Sequence, residues 1–236
     1  MIFVTGDTHF PIDADKLFKR RKGFTLPALR RTDYLIVLGD FGLFWSKKNI
    51  KNKENMERIQ NLPYTLLFID GNHENFEWLG EFPVEVRFGG KVHRCGENIF
   101  HLMRGQVFSF GSKKLFVCGG ASSVDKNLRI PGVSWWPQED ISHAEIEEAL
   151  DNLEKEDYHV DYILTHTCPH SLIPLMFETY RSSTVRRKFY LSDPTAHFLD
   201  EVNSRTSYLE WYFGHWHEDK DFGEFHCRYN TISILQ

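Results

Sequence analysis

Cysteine is scarce and scattered. Cys95, Cys118, Cys168 and Cys227 form no C-x-x-C pair, so neither a disulfide framework nor a thiolate zinc site is indicated, and four ordinary buried thiols are expected. Long apolar runs are missing as well, none approaching the roughly 20 residues of a membrane span. No basic and apolar leader precedes the first apolar run at residue 2. Together these absences predict a cytoplasmic protein without a membrane partner. Positive charge is not in excess: the formal net charge is -5 and the pI about 6.2, which argues against a general nucleic-acid coat. Linkers rich in Pro or Ser, internal repeats and low-complexity tracts are also lacking, so residues 1–236 are expected to form a single domain. Aromatic residues are plentiful, with 20 Phe in a chain that is 41% hydrophobic, enough to pack one sizeable core.

Short apolar runs recur and stop on polar clusters. Ile2 to Thr5 ends at Gly6-Asp7-Thr8-His9, Tyr34 to Leu38 at Gly39-Asp40, and the run from Tyr64 at Gly71-Asn72-His73-Glu74. Val160 to Thr165 ends at His166, and Tyr208 to Phe213 at Gly214-His215-Trp216-His217. Such runs read as buried strands, and ligand chemistry in α/β folds collects beyond strand carboxyl ends. Alternating runs at Lys91–Cys95, Asn98–Leu102, Gln106–Phe110 and Lys114–Cys118 predict meandering antiparallel strands. Helices are predicted around Asp15–Arg31, Asn55–Leu62, after the Ser142/Glu145 capping box, from Ser171 to Phe177, and from the Asp193-Pro194 start. One or two strands are expected in Phe225–Leu235.

Five strand ends thus carry Asp7/His9, Asp40, Asn72/His73, His166 and His215/His217. Residues two apart, such as Asp7 with His9, can point to one side of an extended chain. Carboxylate and amide oxygens mixed with imidazoles suit divalent Mn, Fe, Zn, Co or Ni. Leaving His73 aside, seven such ligands are too many for one ion and fit two sharing a bridge.

In order, these motifs resemble those of the calcineurin-like metallophosphoesterases: D-x-H, G-D, G-N-H-[DE], a lone His after a strand, and G-H-x-H. The resemblance implies a four-layer α/β/β/α sandwich with two mixed sheets and a two-metal site at one edge. It implies that Asp7, His9 and His217 bind one ion, that Asn72, His166 and His215 bind the other, and that Asp40 bridges them. His73, not a ligand in that family, would be the general acid or a transition-state donor. The cofactors would be two divalent ions, manganese first among the candidates. Four positive charges against Asp7, Asp40 and a bridging hydroxide leave a cationic pocket for a phosphoryl group, and that hydroxide would attack in line.

Leu43 stands where many members carry a second Asp, and the D-R-G extension of Ser/Thr phosphoprotein phosphatases is absent. Another cation must therefore help hold substrate. The long segment Gly119–Glu139 supplies Lys126 and Arg129 for phosphate and Trp135 and Trp136 for stacking or packing. Basic runs at Lys16, Lys19, Arg20, Arg21, Lys22, Arg30 and Arg31 and at Arg181, Arg186, Arg187 and Lys188 read as solvated faces first, with phosphate steering the minority reading for the first run and a phosphate-steering lid for the second. The expected activity is hydrolysis of a small phosphomonoester or phosphodiester, nucleotide-like substrates first, with nucleic acid disfavoured. A catalytically silent scaffold and a phosphoprotein phosphatase are the alternatives.

Overall fold

The structure is a computed structural model that describes residues 1–18, 26–179 and 184–236. Lys19, Arg20, Arg21, Lys22 and Arg181 lie outside these residues, and so does the side chain of Arg186. In chain order come β1 (Ile2–Thr5), β2 (Tyr34–Val37), β3 (Thr65–Phe68), β4 (Val84–Arg87), β5 (Gly90–Arg94) and β6 (Ile99–Leu102). Then follow β7 (Gln106–Phe110), β8 (Lys113–Cys118), β9 (Tyr162–Thr165), β10 (Glu210–Phe213), β11 (Lys220–Phe222), β12 (Phe225–Cys227) and β13 (Ile232–Leu235).

One sheet runs β13-β1-β2-β3-β6-β5-β4 and the other β11-β12-β10-β9-β8-β7. Both are mixed: β1, β2, β3 and β6 are parallel neighbours in the first, and β8, β9, β10 and β12 in the second. The inner strands carry apolar residues on both faces because each sheet is covered on both. Val4, Ile36, Leu38 and Leu67 point between the sheets and meet Leu115, Val117, Leu164 and Tyr212. Their alternating neighbours Phe3, Leu35, Val37, Leu66 and Phe68 point outward against Leu17, Ile59 and Leu79. Ile59 lies on α1 (Asn52–Gln60) and Leu79 on α2 (Phe76–Leu79). The second sheet is covered by α3 (His143–Glu154), α4 (Ile173–Thr179), α5 (Thr184–Leu191) and α6 (Pro194–Arg205), through Ala149, Leu153, Met176, Tyr190, Leu199 and Val202. Helices outside and two sheets inside give the four layers.

Helix starts follow the sequence. Ser142 and Glu145 form the reciprocal capping box of α3, and Asp193 accepts from the Thr195 and Ala196 amides ahead of Pro194. All four cysteines are buried and free. No helix of the described residues is long and apolar enough to cross a membrane.

Three readings change. Between Asp15 and Arg31 the described residues hold only the 3-10 turn Ala14–Leu17. There Lys16 is buried, not solvated, because its ammonium donates to the carbonyls of Asp7 and Tyr229 and sits 4.0 Å from the Tyr229 ring centre. Ser171 caps nothing with its side chain: it lies in the 3-10 turn His170–Leu172, and its amide donates to Asp200.

Candidate metal centre

Register brings the strand ends together. Thr5, Val37 and Phe68 pair across the first sheet, and Thr165 with Phe213 across the second. The segments that follow turn at one common edge, bringing Asp7, His9, Asp40, Asn72, His73, His166, His215 and His217 together. Asp7 and His9 converge, and His217 joins them while His215 turns to His166, but strand alternation is not the cause. His9, Asp40, His215 and His217 all have positive φ, 35°, 47°, 66° and 54°, so tight left-handed turns aim these side chains. Such strained backbone is characteristic of functional sites. Two glycines make the approach possible. Gly39 has φ +88°, and a Cβ there would stand 2.1 Å from the His166 ring, while one at Gly71 would stand 2.0 Å from the Asp40 carboxylate.

The cluster has two halves. In the first, Asp7 Oδ2 is 3.0 Å from His217 Nε2, and His9 Nε2 is 3.3 Å from Asp40 Oδ2. Each of the sets Asp7, His9, His217 and His9, Asp40, His73 brings its ligand atoms within 4.8 Å of one another. His9 Nδ1 lies 3.1 Å from Asp13, the carboxylate–imidazole arrangement that orients metal-binding histidines.

In the second half, His166 Nδ1 is 2.8 Å from the Leu38 carbonyl, so Nδ1 carries a proton and the neutral form of the ring offers Nε2 as a lone pair. That lone pair faces Asn72 Oδ1 at 3.2 Å, Asp40 Oδ1 at 3.4 Å and His215 Nδ1 at 3.2 Å. The Asn72 amide donates through Nδ2 to Ser123 Oγ at 3.1 Å, which turns its oxygen toward the gathering. Oxygens and imidazole nitrogens gathered in one buried spot are the donor set that a divalent cation takes. His215 Nε2 is also buried without a hydrogen-bond partner. The residues therefore fit divalent ions, and hard oxygens with imidazoles are the appropriate donors.

Protonation tells the same story. Burial raises the Asp7 carboxyl, but the hydrogen bond from His217 and the charge of His166 outweigh it and leave it at about 2. Burial likewise works against charged Asp40, yet the His166 and His73 charges and the His9 hydrogen bond hold it well below the usual carboxylate range. Burial disfavours a charged His9, while Asp40 and Asp7 raise it to about 9. Burial and the charge of His166 lower His215 to about 3. In the metal-free edge imidazole charge keeps two carboxylates ionised, a role that bound cations can take over.

His73 is tied to the cluster through its backbone, its amide donating to Asp40 Oδ1 at 2.7 Å. Its ring nitrogens lie 3.2 and 3.4 Å from the two terminal nitrogens of Arg129. Burial lowers its pKa, with Arg129 adding to the effect. Arg129 is itself fixed by Asp125 at 2.6 Å and the Ser134 carbonyl at 3.1 Å. The other loop residues stand differently: Lys126 lies 3.9 Å from Asp140, Trp135 is half-buried, and Trp136 is buried with its ring 5.4 Å from Trp45.

Supporting residues stand behind the cluster; the sequence reading gives Glu74 that role, whereas Ser123, Glu139 and Trp45 escaped it. Glu74 accepts the Phe41 amide at 2.7 Å and braces the turn that carries Asp40. Ser123, which fixes Asn72, is bound by Glu139 through its amide at 2.7 Å and its hydroxyl at 2.6 Å. Trp45 lies 5.8 Å from His73, ring to ring. A polar Ser-Ser pair following β8 at the same sheet edge, and a Trp just after the Asp40 turn, were the available signals. His93 and His101, read as structural, belong to a buried network in which His101 Nε2 is 3.0 Å from Asp70, which also binds Arg104.

No curated protein matches the chain as a relative. Residues 1–219 match the calcineurin-like phosphoesterases, and with the two-sheet fold and the carboxylate–imidazole edge in place, the chain belongs to that family of metal-dependent hydrolases of phosphoester bonds.

Proposed function

We propose that the chain, acting as one domain, hydrolyses a small phosphomonoester or phosphodiester, nucleotide-like in the first instance, at this edge. The observation that carries the reading is the His166 Nε2 lone pair facing the Asn72 and Asp40 oxygens and His215. Asp7, His9 and His217 would hold one divalent ion, Asn72, His166 and His215 a second, and Asp40 would serve both through its separate oxygens. Bound there, such a pair supplies Lewis acidity and an activated water as nucleophile, manganese being the first candidate among Mn, Fe, Zn, Co and Ni.

The remaining chemistry belongs to side chains. Arg129, anchored at one end by Asp125, presents its guanidinium beside His73 and meets the phosphoryl oxygens in place of the Arg that phosphoprotein phosphatases supply. A nitrogen of the His73 ring gives its proton to the departing oxygen, and contact with phosphate makes that proton easier to hold than it is beside Arg129 alone. Lys126 and Trp135 remain further candidates for substrate contact. Trp136, packed on Trp45, holds the loop in position.

The test is protein reconstituted with each metal and assayed on aryl phosphomonoesters, phosphodiesters and nucleotides. Turnover on at least one class is expected, and none on any would leave a metal-binding scaffold as the better reading. His73→Ala should keep two ions by elemental analysis and lose roughly 10²–10⁴-fold in turnover of an ester with a poor leaving group. Full rate in that variant removes His73 from the reaction.

A further inference from the structure

Beside the cluster lies a cavity of about 270 Å³ bordered by His9 and His73. Resting on the phosphoesterase reading above, we infer that this cavity is the leaving-group pocket and receives an uncharged aromatic group, an aryl ring or a nucleobase.

Position comes first. His73 borders both the carboxylate–imidazole cluster, through Asp40, and this cavity. An ester oxygen placed at His73 thus has its phosphorus on the cluster side and its substituent on the cavity side. Arg129 does not line the cavity, so the cation that grips phosphate and the wall that meets the substituent are distinct.

Size and chemistry then select the occupant. The volume lies just below the roughly 300–1,000 Å³ of small-ligand sites, suited to a one- or two-ring group and too small for a peptide or an oligonucleotide. Phe10, Pro11, Leu43 and Trp45 form its apolar wall. Apart from His9 and His73, none of the lining residues is ionisable. A charged substituent, such as a second phosphate or an acidic side chain, would lose water there with no Lys or Arg on the wall to offset its charge. Trp45, its ring 5.8 Å from that of His73, offers an aromatic face on which a flat group can pack. Ser46, Asn49 and Asn55 supply the few polar groups able to meet ring edges.

The experiment compares phenyl phosphate with propyl phosphate, under one metal, in wild type, Ser46→Phe and Ile12→Ser. Ser46 is half-buried at the cavity, and Ile12, 80% exposed, forms its rim, so neither change opens the core. The intrinsic reactivity of the two esters cancels when their kcat/KM ratio is compared between proteins. Filling the cavity with Ser46→Phe should lower the phenyl-to-propyl ratio at least tenfold, chiefly through the KM of phenyl phosphate, and Ile12→Ser should lower it a few-fold. A ratio unmoved by both variants, in protein that cleaves both esters, overturns the pocket and leaves the hydrolase reading standing. Wild type that cleaves neither these monoesters nor the corresponding phenyl and propyl methyl phosphodiesters removes the hydrolase reading and this inference with it. A second readout needs no turnover: metal-free wild type should bind adenosine with a change in tryptophan fluorescence, at least tenfold more tightly than Ser46→Phe. Equal affinities would overturn the pocket independently of catalysis.

Discussion

Asp40 divides its carboxylate between the two halves of the edge, Oδ1 facing His166 and accepting the His73 amide, and Oδ2 facing His9. A carboxylate set in that way can serve two cations only while it stays ionised, and its surroundings hold it so. Asp40→Asn keeps the shape and removes the charge. Both ions should be lost together, each affinity falling by more than the roughly 10–100-fold that an outer supporting residue costs. Titration calorimetry with elemental analysis would check this, and one ion retained at wild-type affinity would exclude the bridging role. Glu74 is a different kind of neighbour. Burial and the nearby Asp40 charge raise its pKa well above the ordinary range, and it acts on the edge through the Phe41 amide that its Oε1 accepts.

At the scale of elements, the long segment between β8 and α3 does more than carry Arg129. Glu139 holds Ser123, and Ser123 holds the Asn72 amide with its oxygen toward His166. Ser123→Ala should therefore weaken one ion by roughly 10–100-fold and leave the Asp7/His9/His217 half at wild-type affinity. Equal weakening of both halves, read by stepwise metal titration, would show that the relay does not act through Asn72. The strand ends themselves were legible, because a strand covered on both faces must be apolar throughout and must stop where the chain meets polar chemistry, as Phe3-Val4-Thr5 and Ile36-Val37-Leu38 do. The relay was not legible. Ser123 and Glu139 are ordinary surface residues in composition, and only a loop folded back on itself buries them. Lys16 misled for a related reason: its basic neighbours suggest solvent, and its burial depends on carbonyls from Asp7 and Tyr229, the latter 213 residues away.

For the whole molecule, acidity and metal act on the same folding equilibrium. Burial and neighbouring His charges lower His215 to about 3 and His93 to about 4. Both are depressed below the unfolded value near 6.5, so the unfolded chain takes up protons that the native protein refuses. The stability they contribute is complete above pH 6.5 and is lost as pH falls toward 4 and 3. His9 runs the other way: raised to about 9, it contributes fully below pH 6.5 and loses that contribution as pH rises to 9. Metal-free protein should thus be most stable near neutrality and melt at lower temperature on either side. Divalent ions need neutral imidazoles, so their protection should be strong at pH 7 and fade with acid. An ion at about 100 times its Kd adds about 2.7 kcal/mol, which for a chain of this size raises Tm by roughly 5–10 °C. His93 belongs to neither proposed ligand set and stacks on His101 at 5.3 Å, so His93→Phe isolates the proton effect. In thermal melts from pH 6.5 to 4, metal-free His93→Phe should lose less Tm than wild type. At pH 7 it should keep the full metal-induced rise. An acid slope equal to that of wild type would remove His93 as a source of acid lability, and a reduced rise with metal would mean that the His93–His101–Asp70 network reaches the metal edge after all.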